Sequence, residues 1–340
     1  VTLVEGEGVR DFVIDAETQV LFPYDKDTGE AVTQLPTALR RHFWSVRRLL
    51  KERSDFGNYI EDRGLLWYEH SMFFPARFQT QLGISFAEVA THNHFVLDRG
   101  GNVFKQTAPV IKLPSGSNEE EHLALLGLLN SSVVCFWLKQ VSHQKQMMGG
   151  DGIRISEKSK VPYQFASTRL QELPLPEDWK EHPLRARLTD LARETDKLSQ
   201  LISSLSARHV VERCLHSGAD ISAAWQAALQ AKSVSRSKSI LLQEEIDFVC
   251  YLMYGLINDR SLFGDPRQWD VAVEAGSRPF CILSQKNVDG FEVPVGIPTD
   301  WPEPMRIVWT ERTKAIQKSS ALRTIEDPHY KRRWIGRQGL

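Results

Sequence analysis

Residues 125–140 form a nearly unbroken apolar run, and a chain that carries such a run must bury it, because a helix that is apolar on all sides belongs in a core. Asn118 followed by Glu121 is a capping-box start for that helix. The segment is not a membrane span, since Asn130, Ser131 and Ser132 interrupt residues 123–138. Just upstream, residues 91–104 alternate apolar and polar positions around Asp98-Arg99-Gly100-Gly101-Asn102. The glycines supply the positive φ that a tight turn needs, so this segment is predicted as a β-hairpin. Strands beside a buried helix predict an α+β fold.

The rest of the chain divides by pattern. Residues 1–36 are strand-rich, with turn chemistry at Asp25-Lys26-Asp27-Thr28-Gly29. After Pro36, Leu39, Phe43, Val46 and Leu50 recur at helical spacing, and Arg40, Arg41, Arg47, Arg48 and Lys51 gather with Trp44 on an adjacent face. Residues 64–115 read as short strands and turns. Leu173-Pro174-Leu175-Pro176 marks a boundary, beyond which Leu184, Leu188, Leu191, Leu198, Ile202 and Leu205 form a heptad seam with Thr195 in one position. That seam is too short for a free coiled coil and predicts a helical hairpin packed within the chain. Residues 241–257 predict a second helix, and the Lys/Ser/Arg-rich residues 230–239 a mobile connection. The expected organisation is a mixed strand/helix domain over 1–178, a helical spacer over 179–260 and a small C-terminal module with a basic tail over 261–340.

Bulk properties limit the function classes. A length of 340 residues suits two or three domains. A formal net charge of -1 means that any nucleic-acid binding must rest on local clusters rather than on overall basicity. Cys135, Cys214, Cys250 and Cys281 form no C-x-x-C pair, which argues against a zinc ribbon or disulfide framework and for a reducing cytoplasm. No signal peptide is legible. The chain begins at Val1 within a strand-like pattern, so a longer parent chain is expected.

Several motifs carry competing readings. Leu3-Val4-Glu5-Gly6-Glu7-Gly8 could be a cofactor-binding glycine turn, but the next residues look like strand rather than helix, which favours an ordinary β-turn. No Pro-Pro pair exists, so the Asn/Asp-Pro-Pro-Tyr element with which amino methyltransferases hold a flipped base is missing, and no catalytic residue is assigned. His92 and His94 could share one strand face and bind a metal, but no third ligand sits at a recognisable spacing; no metal site is assigned. Glu244-Glu245 and Glu119-Glu120-Glu121 are expected at helix starts and surfaces. The face made by Arg40, Arg41, Trp44, Arg47, Arg48 and Lys51 suits contact with DNA phosphates and stacking, or is a solvated helix face. His143, Gln144, Lys145, Gln146 and Arg154, with the glycines between them, suit a loop that follows a groove, or a surface connection. Tyr330-Lys331-Arg332-Arg333-Trp334 could touch nucleic acid or a partner, or serve only solubility.

The chain resembles adenine-specific DNA methyltransferases of the phage-growth-limitation (BREX/Pgl) type. The likeness is carried in order by Leu21-Phe22-Pro23-Tyr24-Asp25, the 40–53 helix, Trp67-Tyr68-Glu69, residues 91–104, Ala108-Pro109-Val110-Ile111-Lys112-Leu113-Pro114 and residues 125–140. It continues through Tyr163-Gln164-Phe165, Thr168-Arg169-Leu170, Leu242-Gln243-Glu244-Glu245-Ile246-Asp247, Tyr254-Gly255-Leu256 and Pro328-His329-Tyr330-Lys331-Arg332-Arg333-Trp334. The resemblance implies a C-terminal target-recognition region that reads double-stranded DNA. A Rossmann-like domain outside this chain, fused or separate, would bind S-adenosylmethionine and methylate adenine N6; no cofactor is expected in this chain itself. Other phage-defence proteins are possible partners, and no membrane is expected. The alternative is a protein-interaction or scaffolding module of a defence complex that does not read DNA, and a complete enzyme of unknown type is a third reading, disfavoured by the lack of a convergent acid, base and nucleophile.

Overall fold

The computed structural model describes residues 1–55, 57–78, 82–145, 160–285 and 291–335. It is α+β, as expected. The N-terminal segment contributes β1 (Thr2–Val4), β2 (Val9–Arg10) and β3 (Val13–Ile14), followed by α1 (Thr37–Ser45), α2 (Arg47–Lys51), β4 (Ser54–Asp55), β5 (Asn58–Tyr59) and α3 (Pro75–Phe78). Next come β6 (Gly83–Phe86), β7 (Val89–Ala90), β8 (Phe95–Asp98), β9 (Asn102–Phe104) and β10 (Val110–Ile111). The central helices are α4 (Glu119–Leu129) and α5 (Ser132–Val141), with β11 (His143–Gln144), β12 (Tyr163–Gln164) and α6 (Ser167–Leu170) after them. Long helices dominate the remainder: α7 (Arg185–Ser204), α8 (Ala207–Ser217), α9 (Ile221–Met253), α10 (Pro279–Ser284), α11 (Glu303–Lys318) and α12 (Ser320–Ile325).

The predicted buried helix is present but broken. Asn118 and Glu121 form the reciprocal capping box that opens α4. At Asn130 the chain turns by 65°, and the Ser131 side chain caps α5 by accepting from the Val134 N–H. Asn130 is the pivot: its Oδ1 accepts from the Phe95 N–H at 3.1 Å and its Nδ2 donates to the Phe95 carbonyl at 2.9 Å, fixing β8 to the bend. No single helix among the described residues is long and apolar enough to cross a membrane; the bent α4–α5 pair is apolar enough but lies in the core.

The hairpin over 91–104 is not a paired one. β8 runs antiparallel to β6, with Ile84 opposite Leu97, whereas β9 leaves to pair parallel with β1, with Leu3 opposite Val103. Gly100 and Gly101 take φ of +94° and +85°, and Asn102 Nδ2 donates to Asp98 Oδ1 at 2.6 Å. The turn therefore forms as expected, but it redirects the chain between two sheets. Every residue of β8 is buried, so a strand is needed on its flank and β6 supplies it.

The heptad seam is internal. Leu188, Leu191 and Thr195 are buried where α7 lies on α4 and α9. The approach is close: a Cβ at Gly127 would stand 2.8 Å from Leu188 Cδ1. Residues 230–239, expected to be mobile, are the middle of α9. Ser237 accepts from the Val273 N–H at 2.6 Å, and Ser235 and Ser239 are also buried, so one face of this stretch is packed while Ser233 and Lys238 face solvent.

The basic tail is also buried. Lys331, Arg332 and Arg333 are each at most 7% exposed. Lys331 Nζ meets Glu244, Asp247 and Glu326 at 3.0, 3.2 and 2.8 Å, and Arg278 Nε meets Glu244 at 2.6 Å. Glu245 pairs with Arg187 at 2.6 Å and with Arg312. Thus Glu244 and Glu245, expected at a surface, sit in the C-terminal third of α9 as part of the anionic half of a buried ion cluster. Burial would push the Glu244 carboxyl up, but Lys331, Arg278 and Arg312 outweigh it and hold it at about 2.

Candidate nucleic-acid interface

The α1–α2 segment folds by its expected stripe. Phe43 is buried, while Leu39, Val46 and Leu50 are half-buried on the same side. Phe43 stacks on Tyr68 at 6.0 Å, and Tyr68 donates its hydroxyl to the Val32 carbonyl at 2.7 Å. Arg53 ties the end of α2 down by donating to the carbonyls of Leu50, Trp67 and Glu69 at 2.9–3.0 Å. With that side anchored, the opposite side faces solvent.

The exposed side carries the predicted residues. Arg40, Arg41 and Arg48 are exposed, and Trp44 is 62% exposed. The Arg47 guanidinium lies 4.6 Å from the Trp44 ring centre and 5.7 Å from that of Trp67, whose ring is edge-on to Trp44 at 6.4 Å. This stacking holds the half-buried Arg47 beside two indole rings, with its Nε buried and without a hydrogen-bond partner. Two cations have local anionic partners: Arg48 meets Glu52 at 2.9 Å and Lys51 meets Glu61 at 2.9 Å. Both are solvent-exposed pairs, worth about 0–1 kcal/mol, so a phosphate can replace the carboxylate at little cost. Leu49 of α2 and Tyr59 of β5 are also exposed, at 68% and 56%; a single exposed apolar residue carries no sequence signal of its own.

The second predicted surface is only partly described. His143 and Gln144 are exposed on β11, whose partner β12 pairs in turn with β7, and the Lys145 N–H donates to the Pro162 carbonyl at 2.8 Å. Gln146 and Arg154 lie outside the described residues. Gln144 Nε2 donates to the Tyr163 hydroxyl at 2.8 Å, and that hydroxyl also lies 3.2 Å from His329 Nε2. Buried Lys139 lies 5.2 Å from the Tyr163 ring and 5.9 Å from that of Tyr330, and donates to the His329 carbonyl. Burial pushes the Lys139 ammonium down from the usual lysine range. Lys139, Tyr163 and His329 escaped sequence reasoning because they come from three distant segments.

The glycine turn near the N-terminus is packing. Cβ atoms at Gly6 and Gly8 would stand 2.4 Å from the Thr107 carbonyl oxygen and 2.6 Å from that of Asp15, so the space beside both glycines is filled by the chain itself. His92 and His94 lie just before β8 rather than in it, with rings 3.9 Å apart. Asp11, distant in sequence, reaches both.

The chain is 36% identical over 351 aligned residues to the adenine-specific methyltransferase PglX of Streptomyces coelicolor, an alignment that covers 98% of this chain. The resemblance to Pgl-type adenine-specific methyltransferases is borne out. The chain spans 28% of the length of that relative. A family model described as a domain of unknown function (DUF7008) matches residues 239–338, from within α9 to the buried tail.

Proposed function

We propose that this chain supplies double-stranded DNA recognition to an S-adenosylmethionine-dependent N6-adenine methyltransferase of a cytoplasmic phage-defence system, with methyl transfer performed by a domain outside it. Similarity to a methyltransferase along nearly the full chain supports the parent activity. The α1–α2 face carries the DNA-reading part: four arginines and a lysine beside an exposed tryptophan, on a helix pair whose other side is anchored. Residues 1–178 would present that surface, 179–260 would act as spacer and 261–340 as a closing module. Phosphate contact would come from Arg40, Arg41, Arg48 and Lys51, and Trp44 with Arg47 would stack on sugar or base edges.

Fluorescence-anisotropy titration with random duplex DNA across a salt series tests this. Each phosphate contact contributes about 0.9 to the slope of log affinity against log salt. The variant Arg47→Ala/Arg48→Ala removes the Arg48 phosphate contact and should lower the slope by roughly 1. Unchanged affinity and slope would remove DNA reading from this face.

The protein-interaction reading has one observation in its favour. Leu201, Val211, Leu215, Ile221 and Leu229 are exposed on α7, α8 and α9, with Leu215 at 73%. A co-purifying protein that survives high salt, together with no DNA binding at low salt, would favour it.

A further inference from the structure

The pairing of β2 and β3, with Val9 opposite Ile14 and Arg10 opposite Val13, leaves Asp11 and Phe12 as a two-residue turn. Both take positive φ, 28° and 68°, as such turns demand. Asparagine or aspartate followed by glycine is the usual choice; phenylalanine at the second position is strained. The strain is held by burying the Phe12 ring, over which the Arg333 guanidinium lies at 5.5 Å. Its effect is to aim the Asp11 carboxylate inward, at His92 and His94.

Three ligand atoms converge there. Asp11 Oδ1 lies 3.2 Å from His92 Nε2 and 3.0 Å from His94 Nδ1, and all three residues are buried. The Asp11 backbone N–H donates to His94 Nδ1 at 3.1 Å, so that nitrogen is unprotonated, and an ion would take over the lone pair that now accepts this hydrogen bond. His92 Nδ1 lies 3.3 Å from Thr91 Oγ1 and can donate to it, which leaves a lone pair on Nε2. In these tautomers neither ring nitrogen carries a proton, each lies 3.0–3.2 Å from the carboxylate oxygen, and all three atoms lie within 4.8 Å of one another. Bonds of about 2.0–2.1 Å at a tetrahedral centre place ligand atoms roughly 3.3 Å apart, close to the two nitrogen–oxygen distances of 3.2 and 3.0 Å.

We propose that Asp11, His92 and His94 bind one divalent transition-metal ion of the zinc type. Thr91 would fix the His92 ring from behind, as outer partners of metal-bound imidazoles do. The Arg333 guanidinium, 2.7 Å from Asp11 Oδ1 and also donating to the Asn93 carbonyl, holds the carboxylate in place. Its positive charge opposes that of the metal. The site therefore selects an ion that bonds strongly to imidazole over hard ions such as Mg²⁺ or Ca²⁺, which depend on accumulated oxygen charge. Ion binding would lock the N-terminal turn to the start of β8, joining parts of the chain that are 81 residues apart.

The test is titration of the chelator-treated chain with Co²⁺, followed by displacement with Zn²⁺. One equivalent of Co²⁺ should give the intense visible d–d absorption of a tetrahedral site, and Zn²⁺ should raise Tm where Mg²⁺ does not. His92→Asn and His94→Asn should each abolish the absorption, while the surface control His209→Ala/His216→Ala should keep it. No absorption and no Zn²⁺-dependent Tm shift in the unaltered chain would overturn the proposal, as would absorption that survives both histidine replacements. If those replacements fail to fold, ¹⁵N spectra of the histidines in the unaltered chain decide. Shifts confined to two buried imidazoles support the site, and shifts in exposed ones overturn it.

Discussion

Replacing Lys331 with methionine removes the cation that three carboxylates share. Its Nζ lies 3.0 Å from Glu244, 3.2 Å from Asp247 and 2.8 Å from Glu326, and all four side chains are fully buried. Removing one partner from a buried ion pair costs about 3–5 kcal/mol, because the remaining charge is left uncompensated. Three features moderate the loss. Glu244 keeps Arg278 at 2.6 Å, and Asp247 keeps the Ser132 N–H and hydroxyl at 2.7 and 2.8 Å. Glu326, whose carboxyl burial raises from its ordinary value against the pull of Lys331, takes up a proton more readily than a solvated carboxylate. The expected loss is therefore at the lower end, about 3 kcal/mol. Urea unfolding at neutral pH, followed by tryptophan fluorescence and far-UV circular dichroism, measures it. Adding Glu326→Gln should recover about 1 kcal/mol, since the stranded charge is then gone. A loss under about 1 kcal/mol, the worth of an exposed ion pair, would refute the reasoning and return the tail to the surface. The same variant should leave the salt slope of DNA binding unchanged, in contrast to Arg47→Ala/Arg48→Ala.

Trp44→Ala should weaken DNA binding roughly two- to fivefold, the value of about 0.5–1 kcal/mol for an exposed arginine–aromatic contact, without altering the salt slope. An altered slope with unaltered affinity would contradict the assigned stacking role. Acid should loosen the ion cluster. Glu244 is held at about 2 in the folded chain, below its unfolded value, so it contributes stability above pH ~4.3 that is lost as pH falls toward 2. At about 1.4 kcal/mol per pH unit this amounts to about 3 kcal/mol, and Glu326 offsets part of it because its raised value favours proton uptake on folding. An unfolding free energy that stays flat from pH 5 to pH 3 would show that Glu244 is not held by its cations.

What the sequence revealed follows from the range of each interaction. The capping box of α4, the inward stripe of α1–α2 and the internal packing of the heptad seam rest on residues a few positions apart, and each was legible. The strand partners of β8 and β9 were not, because alternation shows that a strand exists and not which strand flanks it. The charged residues misled for a related reason. Lys331 and Glu244 look like surface residues until it is known that the fold brings together positions 87 apart in the chain. A charge run reads as solvated when its counter-charges are out of sight in the sequence, and here they come from Glu244 and Asp247 on α9, Glu326 just after α12 and Asp11 in the β2–β3 turn. The same holds for Asp11, whose partnership with His92-x-His94 depends on a strained turn that no local pattern announces. The α1–α2 surface was visible because both its anchoring stripe and its exposed face are encoded within one short segment.

These long-range closures decide how the proposed functional divisions behave as folding units. The largest buried cluster joins Leu126 and Leu128 of α4 to Leu188 and Leu191 of α7 and to Leu242, Ile246 and Val249 of α9. Asp247 caps the start of α5 through Ser132, and Arg333 holds Asp11. A fragment of residues 1–178 would lose every one of these partners. At about 1.5–3 kcal/mol for each large apolar side chain, removing the five from α7 and α9 alone costs on the order of 10 kcal/mol. That is comparable with the whole stability of an ordinary domain, about 5–15 kcal/mol. The fragment should therefore bind a hydrophobic dye and unfold without a cooperative transition, even though it carries the complete α1–α2 surface. Cooperative unfolding of the fragment with a Tm close to that of the full chain would show that the α4 interface contributes little. The recognition surface would then be a portable domain and not one face of a structure closed by its own C-terminal segment.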